Sequence, residues 1–118
     1  MRGSSVVAEA EVSWPMKTEF TIDFLWVPES LGGHRAVPYS GMRLTIRWQR
    51  HIEAFLQRAR DVECRSLSFD SDKALWRATC SLVSDDPVSA DWLRDGELIE
   101  LLNGYQVMAV GRIFGDDK

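Results

Sequence analysis

Hydrophobic and polar residues alternate from Lys17 onward, with Phe20, Ile22, Phe24 and Trp26 on one side of an extended chain and Glu19, Thr21 and Asp23 on the other. That period of two predicts a half-buried strand, which Pro28 ends. Residues 29–41, punctuated by Gly32, Gly33, Pro38 and Gly41, read as a long loop of turn formers. Alternation returns where Leu44, Ile46 and Trp48 interleave with Arg43, Thr45 and Arg47, a second strand with a basic outer face. Over residues 49–62 the rhythm changes. Ile52, Phe55, Leu56 and Ala59 fall at i, i+3, i+4 and i+7, which predicts an amphipathic helix of about three turns.

Strand-like segments resume at 63–69 and 74–83, separated by Asp70, Ser71 and Asp72, residues suited to a hairpin turn. Two further segments, 97–102 and 105–114, flank Asn103-Gly104, a strong hairpin signal. Gly104 is expected to supply a positive φ, and Gly111, inside the last strand, to mark a bulge or a close backbone approach. About six strands with short connections and one short helix predict a mainly β fold, a small closed antiparallel barrel. Closure is favoured because the last strands carry apolar residues on both faces and would otherwise expose a sticky edge.

Length and composition agree with one folded domain: the chain has 118 residues, 45% hydrophobic and 27% charged. Residues 1–15 read as a flexible N-terminal arm and 16–118 as the barrel domain. The formal charge of −4 argues against a generally basic, nucleic-acid-gripping surface. The charge is nevertheless uneven, because residues 41–65 carry six basic and three acidic side chains. The two cysteines, Cys64 and Cys80, form no C-x-x-C pair and alternate with apolar neighbours, so they read as packed thiols. With no apolar stretch of secretory length near residue 1 and none of membrane-spanning length, the expected location is cytoplasmic.

Two stretches carry a resemblance. Phe20-Thr21-Ile22-Asp23-Phe24-Leu25 leads through Gly32-Gly33-His34-Arg35 and Pro38 to Ser40-Gly41-Met42-Arg43. Further on, Pro87-Val88 and Gly96-Glu97-Leu98-Ile99-Glu100-Leu101 precede Gly104-Tyr105-Gln106-Val107-Met108-Ala109-Val110-Gly111-Arg112-Ile113. In order and glycine spacing these resemble the C-terminal, third β-barrel domain of elongation factor Tu and related translational GTPases, over a little more than half the chain. The loop departs from the family by reading His34-Arg35 where the family has Arg then His. Met42 stands in place of an aromatic, and residues 48–60 do not match. The resemblance implies a barrel without its GTPase domain. In the resembled family one surface of this domain meets the T-stem of aminoacyl-tRNA and another packs on the GTPase domain.

Little in the chain suggests catalysis. The G-x-x-x-x-G-K-[S/T] loop that cradles nucleotide phosphates is absent, so no nucleotide is expected, and no metal or other cofactor is called for. The neutral bases are His34, in the Gly-rich loop, and His51, whose neighbours Arg47 and Arg50 disfavour a general base. The carboxylate pairs Asp70/Asp72 and Asp85/Asp86 fit turns better than a metal site. Seven arginines, Arg35, Arg43, Arg47, Arg50, Arg58, Arg60 and Arg65, can make bidentate contacts to phosphate or carboxylate. The plainer role for them is a solvated face paired with Glu53, Asp61 and Glu63. Of the five tryptophans, Trp26, Trp48 and Trp76 read as core, while Trp14 and Trp92 read as exposed and suited to a protein contact.

These features point to a non-catalytic binding module with a protein partner, in a translation-related or immunity-type, mimicking role. The alternative is a binder of structured RNA such as tRNA through the arginine face, and a weaker one a small hydrolase using His34. The candidate binding residues are His34, Arg35, Arg43, Arg47, Arg50, Trp92 and Gly104.

Overall fold

The computed structural model describes residues 18–33, 36–57, 59–84 and 88–115. Where the sequence alternates, the chain is extended: β1 (Glu19–Trp26), β2 (Met42–Trp48), β3 (Arg60–Asp70), β4 (Leu75–Leu82), β5 (Leu98–Asn103) and β6 (Gln106–Phe114). Every neighbouring pair is antiparallel, and the ring runs β1-β4-β3-β2-β5-β6 and back to β1, a closed barrel. Strands β2, β3 and β4 follow one another as a meander, and β1 lies beside β4, a Greek-key arrangement. Closure removes the edges that apolar β5 and β6 would otherwise present.

One face of each strand fills the interior. Phe20, Ile22 and Phe24 of β1, Met42, Leu44, Ile46 and Trp48 of β2, and Ile99, Leu101 and Ile113 of the last hairpin are all buried. Trp26 and Trp76 are only partly buried, covering the core rather than belonging to it. The outward side of β1 also departs from simple alternation, because Asp23 is buried. Cross-strand side chains cover it, as described below.

Segment 49–62 holds the expected helix, but shorter than three turns and without the expected buried face. A 3₁₀ turn over Gln49–His51 leads into a helix, α1 (Ile52–Gln57), and β3 begins at Arg60. The expected apolar stripe is not a core face: Ile52 and Leu56 are exposed, Ala59 is exposed and Phe55 half-buried. Two periodicities overlap here. Val62 and Cys64 belong to the period-two pattern of β3, and pairing of Met42 with Cys64 and Leu44 with Val62 claims those residues for the sheet.

The turns differ from expectation in detail. Asn103 pairs with Gln106, so the hairpin loop is Gly104-Tyr105 rather than Asn103-Gly104. Among its two residues only Gly104 has a positive φ, 63°, the pattern of a type II′ turn. Between β3 and β4, Asp70 caps the turn by accepting from the Asp72 and Lys73 amides. Ala74, expected within the strand, lies in that turn with a positive φ. Gly111 marks a close approach and not a bulge, since a Cβ there would stand 2.2 Å from the Asp23 carbonyl oxygen. The bulge of this hairpin lies instead between Leu101 and Leu102. No helix among the described residues is long and apolar enough to cross a membrane. The expected arm at 1–15 lies outside the described residues.

Candidate functional site

Three of the arginines singled out from the sequence, Arg47, Arg50 and Arg65, face a carboxylate that sequence proximity does not predict. Arg47 Nε donates to Glu100 Oε1 at 2.6 Å across the β2–β5 pair. Arg50 bonds Glu97 at 3.0 Å, and Arg65 bonds Glu19 at 3.0 Å and Ser81 at 2.5 Å. The expected partners Glu53, Asp61 and Glu63 do not fill these roles, because barrel register and not chain proximity sets the neighbours. Asp61 instead accepts from the Thr45 hydroxyl. Arg43 is exposed and sits opposite Glu63. His34, Arg35 and Arg58, together with Trp14 and the Asp85/Asp86 pair, lie outside the described residues.

Trp92 is not an exposed loop residue. It is half-buried, held by a 3₁₀ turn, Ala90–Leu93, whose Ser89 side chain accepts from the Asp91 amide. The indole ring lies 5.2 Å from Trp48 and is stacked by His51 at 5.2 Å, with the Arg60 guanidinium 5.1 Å from its centroid. Trp48 Nε1 donates to the Trp92 carbonyl at 2.7 Å. Beneath lies Glu97, buried, with Oε2 on Arg50. Its Oε1 makes no hydrogen bond among the described residues and faces His51 Nε2 at 3.8 Å. This cluster joins Arg50, His51 and Trp92 with the previously unremarked Glu97 at one end of β2, and it reads as a polar clasp on the barrel. Gly104 lies in the β5–β6 turn with a positive φ.

The outer wall of β1, β6 and β5 has a different character. Register aligns two rows across the strands. One row reads Arg77, Asp23, Arg112 and Leu98; the next reads Leu25, Val110, Glu100 and Arg47. Leu25, Leu98 and Val110 are 49%, 52% and 37% exposed, although each stands in regular sheet. With Leu75 they line an open groove of about 450 Å³, and Asp23 and Arg112 stand beside them. Isolated exposed aliphatics are ordinary, but a contiguous patch rimmed by charge marks a contact surface.

The charges at that rim are ordered. Asp23 accepts both donors of Arg77, at 2.6 and 3.1 Å, in a bidentate pair. Arg112 reaches the same carboxylate only at 3.9 Å. The hydrogen bond to Asp23 holds the Arg77 guanidinium above its ordinary pKa, and the charges of Asp23 and Asp70 add to the shift. Its guanidinium also lies 3.8 Å over the Phe114 ring.

Apolar residues on both faces of the last strands are legible in the sequence, where by themselves they argue only for closure. The available signal was Leu25, the apolar residue at an outward position of β1. The convergence of Arg77 and Arg112 on Asp23 has no local signal, since it joins three strands.

Inside the barrel Cys64 and Cys80 are directly opposed and fully buried, with sulfurs 3.5 Å apart and no disulfide. The hydrogen bond it shares with Cys64 and the burial both push the Cys80 thiol far up, so it stays protonated in the folded protein. Such thiols pack; they do not attack. Comparison with protein-family models and with curated proteins gives no match for this chain.

Proposed function

We propose that the protein is a non-catalytic binding module that receives a protein partner on the outer wall of its barrel, in a translation-related or inhibitory, mimicking role. The observation that carries this reading is the groove of Leu25, Leu75, Leu98 and Val110, aliphatic surface held in water by rigid sheet beside ordered charge. Rigid strands lose little entropy when a partner docks, which favours recognition by shape. The interior is filled by side chains, which leaves the outside to carry recognition. An RNA-binding reading through the arginine face is less well supported, because Arg47, Arg50 and Arg65 already hold Glu100, Glu97 and Glu19.

A photo-crosslinking amino acid placed at Leu25 tests the reading, with the same probe at Asp72, in the β3–β4 turn, as control. The expected result in cells is a discrete protein adduct from position 25 alone that disappears when Val110→Arg is added. Adducts to RNA only, equal labelling from both positions, or no adduct would overturn it.

A further inference from the structure

Resting on the binding reading above, we infer that the partner segment is acidic as well as apolar: it lays aliphatic side chains between Leu25, Leu98 and Val110 and presents a carboxylate to Arg112. Charge complementarity at one border of the groove selects this occupant. Arg77 and Arg112 both face the Asp23 carboxylate there. Two guanidinium groups share one carboxylate, so one positive charge is left over. Arg77 satisfies Asp23 with two short bonds, and Arg112, with its side chain 55% exposed, has only the 3.9 Å contact to it. The surplus therefore falls on Arg112, whose cross-strand neighbour on β5 is the exposed Leu98.

Across the groove, next to Val110, Glu100 is already bound to Arg47. Charge is thus balanced on one side of the aliphatic surface and unbalanced on the other. A carboxylate reaching Arg112 gains a charge-assisted, planar contact beside desolvated aliphatic surface, where such a bond counts for more than in open water. A basic segment would meet the guanidinium instead and be rejected. Strand addition is not available as a mode of binding, because both β1 and β6 are paired on both sides. Recognition must run through side chains.

A random 12-residue peptide library displayed on phage and panned on the full chain tests this, with Arg112→Gln and Arg112→Glu as comparison targets. Circular dichroism and thermal melting first establish that both variants keep the barrel; Arg112→Gln removes the charge and keeps a polar, unbranched side chain. The expected winners combine Leu, Ile or Phe with Asp or Glu and shift the amide resonances of Leu25, Leu98, Val110 and Arg112. They bind Arg112→Gln about tenfold more weakly, and panning on Arg112→Glu replaces the acids with Lys or Arg. Peptides that map to the groove without acidic enrichment, or that bind Arg112→Gln equally well, overturn the inference while leaving the binding reading intact. Winners that map away from the groove, or no winners, overturn both.

Discussion

Replacing Gly111 by Ala tests the seam where the first and last strands close the ring. Gly111 pairs with Phe24 of β1 and Ile99 of β5. A Cβ added to it would stand 2.2 Å from the Asp23 carbonyl oxygen, 2.7 Å from the Phe24 Cβ and 2.8 Å from the Phe24 Cα. Two of these atoms are backbone and the third is fixed to it, so no rotamer relieves the clash. Restoring an ordinary contact of 3.4 Å requires β1 and β6 to part by about 1 Å at that point. Ladder bonds of about 2.9 Å would then stretch past useful length. Losing two such bonds costs about 2 kcal/mol, and overpacking adds about 1–3 kcal/mol. The reduced chain entropy of Ala offsets roughly 0.4–1 kcal/mol. The net expectation is a loss of about 3 kcal/mol, or about 10 °C in Tm for a domain of this size.

Urea unfolding followed by tryptophan fluorescence, with thermal melting by circular dichroism, measures the loss. Gly104→Ala provides the contrast. It has open space around it and only the cost of a positive φ, about 1 kcal/mol. If Gly111→Ala melts at or above the parent temperature, the two strands do not meet as closely as described, and the closed ring fails at its seam.

Two further outcomes follow from the buried groups. Cys80 is held protonated in the folded state and ionises in the unfolded chain, so its contribution is complete below about pH 8.5 and falls as pH rises, by about 1.4 kcal/mol per unit. The urea midpoint should therefore decline between pH 8.5 and 10, and Cys80→Ala, though less stable overall, should flatten that slope; an unchanged slope refutes the burial. Removing Arg77 leaves the carboxylate of Asp23 buried with only the distant Arg112, whereas removing the charge of Asp23 leaves an Arg77 side chain already 45% exposed to water. Arg77→Met is thus expected to cost about 2–3 kcal/mol and Asp23→Asn about 1 kcal/mol. Equal costs, or the reverse order, in matched urea titrations would contradict the pairing.

The repeating local choices are written in the residue pattern. Phe20, Ile22 and Phe24, then Leu44, Ile46 and Trp48, alternate because a pleated strand half in contact with a core admits little else. Gly104 announced its turn and Gly111 its tight approach, since each is a local demand on the backbone. The apolar spacing of Ile52, Phe55, Leu56 and Ala59 misled, because spacing records which residues could face one way and not whether anything lies there to cover them. The partners follow from closure of the barrel. Asp23 with Arg77 and Arg112, Arg47 with Glu100, and Arg50 with Glu97 all join segments remote in the chain. Their meeting depends on ring order and register, which are set by the whole barrel at once. The groove of Leu25, Leu98 and Val110 arises in the same way, from three individually unremarkable aliphatics that closure of the ring brings side by side.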